Sequence, residues 1–269
     1  MDTKRPLPRM VFGPLRSQQG VRMLPEEVAV ALSYNGAAQA VMMATPDCLE
    51  DFAYGFSLTE GIAAQHEIES IEVVETARGI DVQMWLGAVA AGRLTKRRRT
   101  MAGPVGCGLC GIDSLEEATR ALPPVTTTLD ITPAQICAAV AALPAHQGLH
   151  DATRAVHAAA FWTPGQGIVA AREDVGRHNA LDKLAGAMLR GGIAPAGAVV
   201  LTSRVSIDMV QKCAAMGVPV LIAVSAPTAH AVEMAEAAGI TLIALARPDR
   251  FEAFTHTDRI HPDEAADVA

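Results

Sequence analysis

Residues 198–245 read AVVLTSRVSIDMVQKCAAMGVPVLIAVSAPTAHAVEMAEAAGITLIAL, and this stretch decides the fold class. Ala198 to Leu201, Val218 to Val224 and Ile240 to Leu245 are nearly continuous apolar runs. A strand that is apolar on both faces must be covered on both, as in parallel sheets. Between the runs, Val205 to Met216 and Thr228 to Ala238 space their apolar residues as helices do and end at Gly217 and Gly239. Strand, helix, strand, helix, strand predicts a parallel sheet with helices on both faces.

The same reading extends upstream. A helix with Leu181, Leu184, Ala185 and Met188 on one face ends at Gly191-Gly192. Ala155 to Phe161 and Gly167 to Ala171 predict a hairpin about Thr163 to Gly167. Thr132-Pro133-Ala134-Gln135 is a capping signal for a helix that turns Ile136, Val140 and Leu143 inward. Pro123-Pro124 and the threonines after it divide this α/β unit, residues 125–269, from a smaller α+β unit, residues 1–124.

In the first unit Val28 to Tyr34 and Ala37 to Met43 predict a hairpin closed by Asn35-Gly36. Thr45-Pro46-Asp47 predicts a helix start with Thr45 as N-cap, and Leu49, Phe52, Ala53 and Phe56 follow at helical spacing towards Gly61. Ile71 to Val74 and Ile80 to Leu86 predict another strand pair. Lys96 to Arg99 reads as a solvated strand end, and Ser114-Leu115-Glu116-Glu117 as a capping box opening a short helix beyond Cys110.

Composition narrows the function. With 22 Lys and Arg against 29 Asp and Glu, the net charge of −7 speaks against general affinity for nucleic acid. No apolar run approaches the roughly 20 residues that cross a bilayer, and no signal peptide is evident, so the expected compartment is the cytoplasm, with reduced thiols and no membrane partner. Three of the five cysteines, Cys48, Cys137 and Cys213, fall in apolar helical patterns and read as core.

Ligands of open α/β sheets bind at the carboxyl ends of the strands. Four polar loops fall there: Glu173 to Asn179, Ser203-Arg204, Ser225 to Thr228, and Arg247-Pro248-Asp249-Arg250. Three contain arginine, whose planar fork suits phosphate, so a phosphate-bearing ligand is expected without a P-loop or G-x-G-x-x-G pattern. His178 reads as a general acid or base, a phosphate donor, or a structural hydrogen-bonder; His157, on an apolar strand, reads as core.

Cys107-Gly108-Leu109-Cys110 lies between glycines. Zinc would need two further ligands that the solitary cysteines do not offer, and no H-x-E accompanies the pair as in zinc deaminases, so no metal is expected. A redox pair and a persulfide carrier both remain. The carrier is favoured by the cations of Lys96 to Arg99 upstream and the helix start downstream, which stabilise a thiolate.

Gly106 to Gly111, Arg172 to Lys183, Ser203-Arg204 with Met209 to Lys212, and Val224 to Thr228 strongly resemble the formate dehydrogenase accessory sulfurtransferase family, over about Val28 to Arg259. The resemblance implies a second domain with a cytidine deaminase-like three-layer α/β fold lacking the zinc site. It implies a persulfide on Cys107, with Cys110 resolving or tuning it. It places cofactor binding on Leu245, Ala246, Arg247, Pro248, Asp249 and Arg250, joined at the rim by Arg204, Ser225 and His178; the family often has glycine at the place of Asp249. The bound substrate would be the molybdenum bis(molybdopterin guanine dinucleotide) cofactor, with no permanent cofactor. The partners would be a cysteine desulfurase and the formate dehydrogenase catalytic subunit, with a homodimer left open. The rival reading is a redox-active Cys-x-x-Cys chaperone that binds cofactor or apoenzyme without moving sulfur.

Overall fold

The computed structural model describes residues 1–100 and 124–262. The first half opens with an antiparallel hairpin of β1 (Lys4–Phe12) and β2 (Ser17–Pro25). A four-stranded sheet follows, built from β3 (Val28–Tyr34), β4 (Ala37–Ala44), β5 (Ile68–Thr76) and β6 (Gly79–Leu86) in the order β4-β3-β6-β5. The Asn35-Gly36 turn holds both residues at positive φ, 50° and 78°, as the twist of a tight hairpin requires. One face of this sheet buries Val30, Leu32, Val82 and Met84 against Phe52 and Phe56 of helix α1 (Leu49–Thr59). Helix α2 (Ala88–Thr100) follows. It carries Lys96 to Arg99, which is therefore helical rather than a strand end; the alanines after Gly87 favour the helix.

In the second half helix α3 (Pro133–Ala142) and the short α4 (Gly148–Thr153) precede β7 (His157–Thr163), β8 (Gly167–Asp174) and α5 (Arg177–Arg190). Then come β9 (Ala198–Leu201), α6 (Ile207–Ala215), β10 (Val220–Ala223), α7 (Ala229–Ala238), β11 (Thr241–Arg247) and β12 (Arg250–Ala253). The sheet order is β12-β11-β10-β9-β7-β8. The three central strands are parallel, as the sequence predicts. The sheet as a whole is mixed: β12 returns antiparallel through a two-residue turn, and the β7–β8 hairpin adds antiparallel strands at the other side. Connections that short cannot join parallel neighbours.

Alternation along the strands explains the layers. Ala159 and Phe161 of β7 and Val199 and Leu201 of β9 face α5, α6 and α7, while Ala160, Trp162, Ala198 and Val200 face Ile136 and Ala139 of α3. The Thr132–Gln135 capping box forms in both directions, and Thr228 caps α7 through the Ala231 N–H. Helix α6 starts at Ile207 rather than Val205, because Val205 bridges to Pro227 and gives its N–H to the Ala226 carbonyl.

The two halves share a buried seam. Helices α1 and α5 touch at Gly55 and Gly186, where a Cβ would lie 1.7 Å from the Asp182 carbonyl oxygen and 1.8 Å from that of Asp51. Only glycine permits such an approach. Around the crossing, Asp51 receives Arg172 and Arg190 at 2.7 Å each, and Lys183 meets Asp174 at 2.6 Å. Lys212 meets Asp182 at 2.9 Å and Glu60 at 2.7 Å. Burial alone would push Lys212 down, but the Asp182 and Glu60 carboxylates outweigh it and hold the ammonium charged.

Two expectations are corrected by these contacts and burials. Thr45 is not a helix N-cap: its N–H donates to Asp174 and its hydroxyl accepts from the Val175 N–H, so α1 starts at Leu49. Cys48 takes the N-cap place with φ 51°, half-buried, and Cys137 is also half-buried, leaving Cys213 as the fully buried cysteine among the three. The division expected at residue 124 falls at the edge of the described residues.

Candidate functional site

Strands β8, β9, β10 and β11 all point their carboxyl ends to one rim, because β8 and β9 each pair antiparallel with β7 between them and the last three run parallel. The rim loops are stitched to one another. Val205 N–H donates to the Ala226 carbonyl at 3.2 Å, and Leu245 N–H donates to the Ser225 carbonyl at 3.2 Å. The Arg247 guanidinium reaches the Val224 carbonyl at 2.6 Å and the Ala246 carbonyl at 2.8 Å. Arg204, Ser225 and Leu245 to Arg250 therefore form one contiguous surface.

The segment Leu245 to Arg250 is a bulge followed by a tight turn. Leu245 sits at φ 51°, a left-handed conformation that costs a side chain of this kind about 1–2 kcal/mol. Strain of that size is held in place by the surrounding structure. Beside it lies a cavity of about 230 Å³ lined by Leu245, Arg247, Arg250, Phe251 and Glu252. Pockets for drug-sized ligands measure roughly 300–1,000 Å³, so this cavity is smaller than a whole site of that kind. Arg250 keeps its side chain 75% exposed, with Asp249 at 3.7 Å, and is free to turn to an anion. Arg247 is committed to the backbone and acts as a brace.

At the other end of the rim, His178 Nε2 lies 3.3 Å from Asp208 Oδ2, which also accepts from the Ser206 hydroxyl at 3.2 Å. The His178 contact, ahead of the opposing effect of partial burial, holds the Asp208 carboxyl below the usual range. His157 is half-buried; burial first, then Arg177, His150 and His178 nearby, depress its basicity. Helix α5 begins with no side-chain cap, and Arg177 Nε is buried with no hydrogen-bond partner among the described residues. This corner gathers the positive end of a helix dipole beside the Arg177 guanidinium.

The long Arg172 to Lys183 motif thus divides. Asp174, Asn179, Asp182 and Lys183 are buried in the seam, Arg172 pairs with Asp51, Glu173 accepts from the Leu149 and His150 N–H groups, and His178 pairs with Asp208. The reading from sequence missed Asp208 as the partner of His178; Ser206-x-Asp208 at a helix start was the available signal. It also missed strand β12, whose Phe251 and Glu252 line the cavity. Cys107 and Cys110, and the expected helix after them, lie outside the described residues.

A family model described as FdhD/NarQ matches residues 25–261. The chain belongs to the FdhD/NarQ family. It is 57% identical over 244 residues, 90% of each chain, to a protein of Agrobacterium fabrum named sulfur carrier protein FdhD. A Brucella abortus protein of the same name is 56% identical over 246 residues, 90% of this chain and 91% of the relative. A crystal structure assigned to a formate dehydrogenase accessory protein from Desulfotalea psychrophila superposes with a TM-score of 0.75 at 25% identity, over 97% of this chain and all of the other. Every rim residue described above lies within the stretch that the FdhD/NarQ model matches. Among the described residues no helix is long and apolar enough to cross a membrane, and no group of three His, Cys, Asp or Glu could hold a metal ion.

Proposed function

We propose that this chain is a sulfur carrier for formate dehydrogenase maturation, working in the cytoplasm. The observation that carries the reading is its membership of a family whose curated relatives bear that name. The contiguous arginine-bearing rim supports an anionic ligand. The substrate is the bis(molybdopterin guanine dinucleotide) molybdenum cofactor, held over Leu245 to Arg250, Arg204, Ser225 and His178. Residues 125–269, read as a cytidine deaminase-like unit, bind it, and residues 1–124 carry the sulfur.

Cys107 thiolate attacks the outer sulfur of a persulfide on a cysteine desulfurase; that S–S bond breaks and the desulfurase thiolate leaves. The Cys107 persulfide then gives its outer sulfur to the bound cofactor. If Cys110 attacks the Cys107 sulfur, sulfur leaves at the sulfide level and a Cys107–Cys110 disulfide remains to be reduced. Arg250 and the amino end of α5 hold phosphate charge, while Arg247 keeps the loop shape. The alternative, a redox chaperone, uses the same rim without a persulfide. Mass spectrometry after incubation with a cysteine desulfurase and cysteine separates them, a gain of about 32 Da on Cys107 favouring the carrier. Full activity of a client formate dehydrogenase in cells carrying only Cys107→Ala refutes the carrier reading.

A further inference from the structure

The cavity at the rim holds one group for which a phosphate site has no use. Arg247, Arg250 and Glu252 all line it, together with Leu245 and Phe251. A carboxylate only accepts hydrogen bonds and repels an anion, so Glu252 opposes phosphate where Arg250 favours it. Nor does Glu252 balance the arginines. Arg247 gives its guanidinium to the Val224 and Ala246 carbonyls, and Arg250 has Asp249 at 3.7 Å. Among the described residues Glu252 makes no hydrogen bond or ion pair.

The backbone brings this acceptor beside apolar surface. Strand β12 is the edge of its sheet and returns along β11 with Arg250 opposite Arg247 and Glu252 opposite Ala244. The bulge between those pairs takes up Leu245, which stands at φ 51° with its side chain 36% exposed and its N–H fixed to the Ser225 carbonyl. Phe251 packs against the core that holds Ile131 and Ile243. The cavity thus combines two apolar side chains, one unmatched carboxylate and one exposed arginine.

An uncharged planar ring with two donors side by side on one edge matches the first two of these. Guanine has that edge: its N1–H and its N2 amino group point the same way and meet the two carboxylate oxygens. Adenine presents a bare ring nitrogen there, and xanthine a carbonyl oxygen, so each sets an acceptor against the carboxylate. We infer that Glu252 is the specificity-determining residue of a guanine subsite, with Leu245 and Phe251 against the base and Arg250 beside the phosphates that follow it. Resting on the guanine-bearing ligand proposed above, this assignment fixes which end of that ligand enters the cavity and what selects it. A site built to hydrogen-bond a donor rejects the analogue that lacks it, because the buried partner is left unpaired.

Calorimetry on the full chain at fixed salt, with GDP, ADP and xanthosine diphosphate, tests the assignment. Thermal melting followed by circular dichroism confirms the fold of each variant. The wild type binds GDP about tenfold or more tighter than either of the others. Glu252→Gln exchanges one acceptor for a donor and so matches the N1–H and C2 carbonyl of xanthine instead. It loses about tenfold in GDP affinity, gains affinity for xanthosine diphosphate, and melts as the wild type does because the side chain is exposed. A residue that merely shapes the cavity cannot produce that gain. Glu252→Ala loses GDP affinity without it.

The assignment is overturned if Glu252→Gln binds GDP as the wild type does, if it loses all three nucleotides equally, or if the wild type binds GDP and ADP alike. In each of these cases GDP still binds the wild type, and the proposed ligand class stands. A wild type that binds no guanine nucleotide overturns both together. Ligand released from the chain purified from cells separates the sources: guanine with a fluorescent pterin belongs to the cofactor, guanine without pterin to a free nucleotide. Either supports the subsite when Glu252→Gln carries less of it than the wild type, and counts against it when the amounts are equal.

Discussion

Replacing Gly186 by alanine adds one methyl group where α1 and α5 touch. The new carbon would stand 1.8 Å from the Asp51 carbonyl oxygen, whereas ordinary contact begins near 3.4 Å, so the helices must part by about 1.6 Å. The obstruction is backbone, which cannot swing aside as a side chain can. Overpacking of this kind costs about 1–3 kcal/mol, and parting the helices also stretches the 2.7 Å pairs that Asp51 makes with Arg172 and Arg190. Helix propensity returns about 1 kcal/mol. The net expectation is a loss of about 2 kcal/mol, or a melting temperature lower by about 4–8 °C for a chain of this size. Gly92→Ala on α2 is the control: nothing lies within 4 Å of its Cβ, so propensity acts alone and stability rises by up to about 1 kcal/mol. Urea unfolding with a common slope measures both. A Gly186→Ala chain as stable as wild type would refute the steric account of the seam.

Three further outcomes follow from the same geometry. Lys183→Met leaves the buried Asp174 without its ammonium and is expected to lower stability by about 3–5 kcal/mol in chemical denaturation. Burial raises the thiol of Cys48 to about 11 and that of Cys213 to about 12, so at pH 8 only on the order of one in a thousand or fewer is thiolate; peptide mass mapping after native alkylation should show both unlabelled. Arg250→Ala should weaken guanine nucleotide binding by about 1.5–3 kcal/mol in calorimetry at fixed salt, with unchanged melting because the side chain is exposed.

The parts of the fold legible in the sequence are those governed by local rules. The apolar runs from Ala198 to Leu245, the Asn35-Gly36 turn, and the caps at Thr132, Thr228 and Gly239 all form as their residues dictate. Thr45 was misread because its hydrogen bonds are claimed by Asp174 and Val175, about 130 residues away, which no local pattern reveals. Lys183 and Lys212 show as charges in the sequence, but their buried partners come from other elements. The β1–β2 arm escapes notice because prolines interrupt the strand pattern, and they are tolerated only because the arm has a free edge. The rim loops were legible because strand ends fix where they gather. The Cys107 loop rests on the sequence alone.

The central claim is that Cys107 carries sulfur, and mass spectrometry tests it most directly. The full chain, incubated with a cysteine desulfurase and cysteine and digested without reductant, should gain about 32 Da, one sulfur atom, on the peptide containing Cys107. The gain should vanish on treatment with a thiol reductant and be absent from Cys107→Ala. A chain that gains no sulfur, or gains it on Cys48 or Cys137 while Cys107 stays unmodified, contradicts the account.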